Sequence, residues 1–265
     1  DYQRSRGLGD VYKRQGISTY AEKENDVSSI MLIGNSFFYY NNSLHNHLGD
    51  LYDADPELDT PKRRSITING SALSWHDVES YISNTEIGSF KIDSSTNTYQ
   101  PYTDRNIDVA IMMDCSLCPI NEQRKSSFEK YVKQHSDTLR AKDIEPILFM
   151  SWPYKNTPKM QVALEKAFFD AATTNRIRLI PAGPAFFYVN QNFPEINLYT
   201  NDNRHPSPAG TYLAALMVFA TLTDKSPIGN SYTMGLDKDA AKTLQEVAWL
   251  IPVSYTHLRA HETAD

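Results

Sequence analysis

The feature of this sequence that most constrains its fold is an alternation of short apolar runs with longer amphipathic segments. Runs typical of buried strands occupy residues 29–33, 65–69, 107–113, 146–150 and 177–180. Helical spacing of apolar residues marks the segments 44–52, 73–82, 128–140, 159–173, 208–222 and 238–250. Strands that alternate with helices in this way pair in parallel, and the connecting helices cover both faces of the sheet. The sequence therefore predicts an α/β protein, a three-layer α/β/α sandwich around a central, mostly parallel five-stranded sheet.

The composition limits the classes of partner that this chain can have. Its 265 residues are 40% hydrophobic, which is enough for one large α/β domain or two small ones. A formal net charge of -6 argues against nucleic acid or an anionic membrane surface as the main partner. No apolar run approaches the roughly 18 residues that a membrane-spanning helix needs. Two cysteines are too few for a disulfide scaffold. We expect one domain over residues 25–252.

Both ends of the chain look foreign to this domain. Residues 1–15 and 253–265 have little apolar periodicity, and we expect each to be a non-native or disordered tail. The second resembles translated adapter-like tails that recur on open reading frames assembled from environmental DNA, and the first resembles their N-terminal counterpart. We therefore expect the natural N-terminus to be missing. The compartment then stays undefined, and a secreted or periplasmic location is compatible with the sequence.

Three segments that could carry chemistry follow predicted strands. Ser36, Gly70 and Cys115 each come just after a strand end, so the fold would bring them to one rim of the sheet. The polar, Ser/Thr-rich stretch 84–105 has no periodicity and is expected to be an insertion over that rim or a surface loop. Cys115 and Cys118 form a C-x-x-C pair. It is interpreted as two ordinary thiols or an incidental disulfide, because a zinc site would need two further ligands.

A nucleophile and its base are suggested by two short motifs near opposite ends of the domain. Ser36 lies in a Gly-Asn-Ser turn after the first strand, and Asp202 precedes His205 by three residues just before a long helix. A serine hydroxyl becomes a strong nucleophile when a histidine takes its proton, and a carboxylate can orient that histidine through Nδ1. Taken separately, each motif could also be an ordinary turn or a solvated loop.

Together these motifs resemble the conserved blocks of the SGNH/GDSL hydrolase superfamily. Gly34-Asn35-Ser36-Phe37 resembles the first block, Asn69-Gly70-Ser71 the second, and the stretch from Asp202 to Gly210 the last. The resemblance spans about residues 28–222. It implies a flavodoxin-like α/β/α fold and a serine esterase in which Ser36 attacks, His205 is the base and Asp202 orients it. It also implies that the N–H groups of Ser36 and Gly70 bind the oxyanion, with no metal or organic cofactor required.

The third block departs from the family pattern. The family usually has Gly-x-Asn-Asp there, and its Asn side chain donates to the oxyanion. This chain instead has Met112-Met113-Asp114-Cys115-Ser116, and Met113 also replaces the Gln of a divergent branch. Losing one such donor typically costs about 10²–10³ in rate. We expect Ser116 to help bind the oxyanion or substrate, and we also assign Asn35 and His76 to the substrate site.

The resulting prediction is a hydrolase of acyl esters, with carbohydrate O-acetyl groups as one possible substrate class and a small-molecule or carbohydrate ester as its partner. One alternative is a catalytically impaired relative that binds a glycan or peptide. Another is a flavodoxin-like binding domain with accidental motif matches, in which Ser36 and His205 would lie far apart. Some aromatic residues near the site are expected in the core, and one or two at an acyl or sugar pocket: Phe37, Phe38, Tyr39, Tyr40, Trp152 and Tyr154. The oligomeric state is not specified.

Overall fold

A central parallel sheet organises the fold. The computed structural model describes residues 27–84, 86–87, 90–93, 95–101 and 104–257. The five strands of this sheet are β1 (Ser29–Gly34), β2 (Lys62–Thr67), β5 (Val109–Met112), β6 (Glu145–Phe149) and β7 (Arg178–Ile180). Their order in space is β2-β1-β5-β6-β7, and every neighbouring pair is parallel. The predicted α/β class and the central five-stranded sheet are confirmed, and the sheet is wholly parallel.

Helices enclose this sheet on both faces. All residues of β1 and β5 are buried, and successive strand residues point to opposite faces, so both faces must be covered. The helices are α1 (Ser36–Tyr39), α2 (Leu44–Asp53), α3 (Val78–Ser83), α4 (Lys125–Arg140), α5 (Met160–Asn175), α6 (Ala182–Asn192), α7 (Pro208–Thr223) and α8 (Lys238–His257). The helices form two groups. In the first, α7 contacts α2, α6 and α8, and in the second, α4 contacts α3 and α5. Helix α7 lies in the core and is buried along most of its length.

Several elements differ from the sequence prediction. β2 begins at Lys62 rather than at residue 65; as an edge strand it is only half-buried and lacks a clear apolar pattern. The helix predicted over residues 73–82 is divided into a 3₁₀ turn (Leu73–Trp75) and α3. Asp77 caps the N-terminus of α3, because its side chain accepts a hydrogen bond from the amide of Ser80.

The segment predicted as a long loop contains an antiparallel hairpin. Its strands are β3 (Phe90–Asp93) and β4 (Thr98–Pro101). At the C-terminal end, α8 continues through His257, five residues into the stretch 253–265 that was expected to be a tail. Residues 258–265 and the predicted tail 1–15 lie outside the described residues. In the part of the chain that is described, helices long and apolar enough to cross a membrane are absent.

Candidate active site

The turn after β1 presents Ser36 at the start of a helix. Gly34 ends the strand where a Cβ atom would lie only 2.7 Å from Cδ2 of Phe38, so the close approach of α1 requires glycine. Asn35 then caps α1, since its Oδ1 accepts from the amide of Phe37 at 3.2 Å. Ser36 is the first residue of the helix and is buried. This geometry fixes the backbone of the candidate nucleophile.

The loop before α7 presents Asp202 and His205. One carboxylate oxygen of Asp202 accepts from the amides of Arg204 and His205 and from Thr200 Oγ1, each at 2.9 Å. Desolvation acts to raise the pKa of Asp202. The hydrogen bonds from the His205 ring and from these donors outweigh it and hold the pKa well below its usual range. Trp152, which follows β6, supports this loop, because its Nε1–H donates to the carbonyl of Arg204 at 3.0 Å. Asp202 is therefore an ionised, oriented acceptor.

The structure brings these three side chains into one hydrogen-bonded line. Ser36 Oγ lies 2.8 Å from Nε2 of His205. On the other side of the ring, Nδ1 is hydrogen-bonded to the second carboxylate oxygen of Asp202. An ionised carboxylate at Nδ1 keeps the proton there and leaves Nε2 to accept from the serine hydroxyl. The alternative of accidental motif matches predicted a large separation of Ser36 and His205, which this geometry does not match.

Two backbone amides that follow the adjacent parallel strands β1 and β2, those of Ser36 and Gly70, are candidates for binding an oxyanion. Ser36 N–H lies in the first turn of α1, where helical amides have no intrahelical acceptor. Gly70 follows β2 in a left-handed conformation with φ +67°, and a Cβ there would meet nothing within 4 Å. Among the described residues, neither amide donates to a protein acceptor. Both remain candidates for the role that the sequence predicted.

The remaining predicted site residues are engaged in other contacts. Asn35 is buried, and its Nδ2 donates to the carbonyls of Ser71 and Asp114 at 3.1 and 3.2 Å. His76 is buried too: Nε2 is hydrogen-bonded to Ser71 Oγ at 3.0 Å and Nδ1 to Tyr81 at 3.2 Å. Burial lowers the pKa of His76 to about 4, which keeps it neutral. The polar atoms of both side chains thus have partners within the protein, and their assignment to the substrate site stays a prediction.

The end of β5 carries a buried carboxylate and a disulfide. Oδ1 of Asp114 accepts from the amides of Leu73 at 2.9 Å and Cys115 at 2.7 Å. Cys115 and Cys118 are joined in a disulfide. Their sulfur atoms lie within 4.8 Å of the Asp114 carboxylate, but in the disulfide they are not thiolate ligands. Ser116 remains half-buried at this rim, with its Oγ 2.8 Å from the hydroxyl of Tyr154.

The aromatic residues near the site divide between core and surface. Phe37, Phe38 and Trp152 are buried, and the rings of Phe37 and Trp152 stack with centroids 4.7 Å apart. Tyr40 was expected only as one of several aromatic residues in the core or at a pocket, and in the structure its ring stacks on that of His205. The signal was present in the sequence, because Tyr40 lies four residues after Ser36 and therefore one helical turn away. Asp114 was missed as a structural anchor for the same site.

Comparisons with known proteins show which solved structures share this fold. Searches against protein-family models and curated proteins found no match. Among solved structures, a DUF4886 family protein from Bacteroides uniformis is 21% identical with TM-score 0.64, covering 86% of this chain and 95% of that one. A protein from Slackia heliotrinireducens proposed to be an SGNH hydrolase is 22% identical with TM-score 0.56, covering 75% and 100%. The acetyl xylan esterase AlAXEase is 14% identical with TM-score 0.55, covering 73% and 99%. The resemblance to the SGNH/GDSL hydrolases is thus confirmed for the fold, which the chain shares with these structures.

Proposed function

We propose that this protein is a serine esterase that hydrolyses an acyl ester. The observation that carries the proposal is the hydrogen-bonded line of Ser36, His205 and Asp202, with 2.8 Å between Ser36 Oγ and His205 Nε2. A binding protein has no need of a serine held against a histidine that is oriented by an ionised carboxylate. The fold that the chain shares with hydrolases and esterases is consistent with this activity.

The reaction would proceed in two half-reactions. His205 Nε2 takes the hydroxyl proton while Ser36 Oγ bonds to the acyl carbon, and the carbonyl oxygen becomes an oxyanion. The amides of Ser36 and Gly70 would donate to that oxyanion. The imidazolium of His205 then gives its proton to the leaving alcohol oxygen as the ester bond breaks. A water molecule repeats the sequence on the acyl-serine, which releases the carboxylic acid and restores Ser36.

A carbohydrate O-acetyl ester is the substrate class that we favour. An open groove of about 670 Å³ begins at Asn41 and Asn42, directly after α1, and reaches Pro208 at the start of α7. Its lining combines polar, aromatic and apolar groups: His47, Ser231, Tyr232, Thr233, Met234 and Gly235. The fold is also shared with an acetyl xylan esterase.

The test is hydrolysis of p-nitrophenyl acetate by the wild-type protein and by Ser36→Ala. A matched control is Ser126→Ala, which removes an exposed serine hydroxyl on α4. We expect activity above background in the wild type and in Ser126→Ala, and its loss in Ser36→Ala. Labelling by a fluorophosphonate, followed by mass spectrometry, should modify Ser36. Release of acetate from acetylated xylan, compared with hydrolysis of p-nitrophenyl butyrate, tests the substrate class.

Equal rates in wild type and Ser36→Ala, together with no fluorophosphonate adduct, would contradict the proposal. A catalytically impaired protein that binds a glycan or peptide would then be the better explanation. Hydrolysis of the p-nitrophenyl esters without release of acetate from the polysaccharide would leave the esterase and refute the carbohydrate substrate.

A further inference from the structure

The imidazole of His205 contacts two aromatic side chains. The ring of Tyr40 stacks on one face, with centroids 4.3 Å apart and planes 8° from parallel. Phe37 contacts the same imidazole edge-on, with centroids 5.4 Å apart and planes at 77°. Phe37 is itself fixed by its stack on buried Trp152. Movement of the imidazole towards either ring would therefore displace that ring.

The residue after Tyr40 ties the nucleophile helix to the loop that carries His205. The Asn41 amide donates both of its hydrogens, to the carbonyl of Pro206 and to Thr211 Oγ1, each at 2.8 Å. Pro206 follows His205 directly, and Thr211 lies in the first turns of α7. Asn41 is thus a direct bridge between the two halves of the candidate site.

The backbone here adopts conformations that ordinary residues avoid. Asn41, Asn42 and Ser43 all have positive φ, at 53°, 69° and 67°. Each such conformation costs of the order of 1 kcal/mol or more, although asparagine tolerates it better than most residues. The carbonyl of Asn41 is held by His47 Nε2 at 2.5 Å, and His47 Nδ1 is hydrogen-bonded to Tyr232 at 2.7 Å. This strained turn therefore has a fixed geometry, and it directs Tyr40 and Asn41 at the His205 loop.

We propose that Tyr40 and Asn41 are positioning residues that hold the His205 imidazole in line with Ser36, and that the Tyr40 ring also stabilises the imidazolium formed during the reaction. This inference rests on the proposed esterase function. The face of an aromatic ring attracts a cation that lies within about 6 Å. The Tyr40 ring therefore binds the imidazole of His205 more strongly when that imidazole is protonated than when it is neutral. Asn41 contributes by fixing the loop, without touching the imidazole.

Kinetics of four variants separate this role from simple packing. Tyr40→Phe keeps the ring, Tyr40→Leu removes it, and Asn41→Gly removes the bridge while keeping a residue that accepts positive φ. The matched control is Tyr131→Leu, which removes another half-buried tyrosine in contact with a histidine, His135 on α4. Each is compared with wild type for kcat, KM and the pH profile of kcat/KM on p-nitrophenyl acetate. Thermal unfolding checks that each is folded.

Substitutions of the Tyr40 ring and of the Asn41 bridge should have different effects on the kinetics. Tyr40→Leu should lower kcat by about 3- to 30-fold with little change in KM, and should move the acid limb of the profile to lower pH, because the cation loses an aromatic face. Tyr40→Phe and Tyr131→Leu should stay within about twofold of wild type, because the first keeps the π face and the second does not touch the triad. Asn41→Gly should lower kcat without moving the acid limb. Equal losses in Tyr40→Phe and Tyr40→Leu, or a change in KM alone, would overturn the proposal.

If the wild-type protein neither hydrolyses the ester nor reacts with the fluorophosphonate, the esterase proposal fails. A second measurement can still test the positioning role in that case. Crystal structures of wild type, Tyr40→Leu and Asn41→Gly would then be compared at the Ser36–His205 hydrogen bond. We expect the distance from Ser36 Oγ to His205 Nε2 to exceed about 3.5 Å in both variants. An unchanged hydrogen bond in both would refute the positioning role.

Discussion

The buried carboxyl of Asp114 should make stability depend on pH in a direction opposite to that of most carboxylates. Burial raises the pKa of Asp114 to about 6 from an ordinary value of 3.8, against the opposing effects of its two backbone hydrogen bonds and of Arg124. Between these two values the folded chain holds the proton while the unfolded chain releases it. Stability from this group is therefore fully present below pH 3.8 and is lost as the pH rises through 6. At 1.36 kcal/mol per pKa unit, the free energy of unfolding falls by about 3 kcal/mol in all.

Asp114→Asn tests this reasoning, because an amide is the neutral form at every pH and its oxygen can still accept from Leu73 and Cys115. The assay is urea unfolding of wild type, Asp114→Asn and the exposed control Asp59→Asn at several pH values. The free energy of unfolding of Asp114→Asn relative to wild type should rise by about 2–3 kcal/mol from pH 4 to pH 8. Any constant cost of placing an amide there cancels in that difference. A flat difference, or one that Asp59→Asn reproduces, would show that Asp114 does not carry a buried charge at neutral pH.

Three further changes probe the candidate site. Asp202→Asn should lower kcat about 10⁴-fold on p-nitrophenyl acetate while the chain stays folded, because an amide no longer orients the right tautomer of His205; a loss under tenfold would contradict this. The Cys115→Ser/Cys118→Ser variant should lose about 2 kcal/mol or less in urea unfolding, since the disulfide spans a sequence separation of 3 and restricts the unfolded chain little; a much larger loss would refute the short-loop argument. In Gly210→Ala the new Cβ would lie 2.3 Å from the carbonyl oxygen of Leu198, so both the melting temperature and kcat should fall, and an unchanged kcat would show that the His205 loop can absorb the shift.

The sheet was predictable because its signal is strong in the central strands. β1 and β5 are buried on both faces and therefore appear as continuous apolar runs. β2 is an edge strand with the sequence KRRSIT, so its bounds were misplaced. Helix α6 was not predicted at all, since it begins Ala-Gly-Pro, which is typical of a turn. Pro184 is nevertheless tolerated there, because the first helical turn has no need of its N–H.

The site was predictable as a set of motifs but not as a network. Ser36, Asp202 and His205 follow from the spacing of blocks, because the carboxyl ends of parallel strands meet at one rim. Asn35 is enclosed through hydrogen bonds to residues 36 or more positions away in the sequence. His76 is enclosed because it is buried in the folded chain. No local pattern encodes which polar side chain is enclosed and which remains free, so the sequence assigned both to the substrate.

The missing third-block asparagine has a structural counterpart at the end of β5. Met113 is fully buried, so the residue that replaces the family's donors lies in the core. Asp114 instead connects two segments of the site: its carboxylate accepts from Leu73 after the Gly70 turn, and its carbonyl accepts from Asn35 beside the nucleophile. These contacts hold the Ser36 and Gly70 turns against a single strand end. An oxyanion there would depend on backbone amides whose positions are fixed by Asp114 and Asn35, and each of these two side chains would act on the reaction through the framework it maintains.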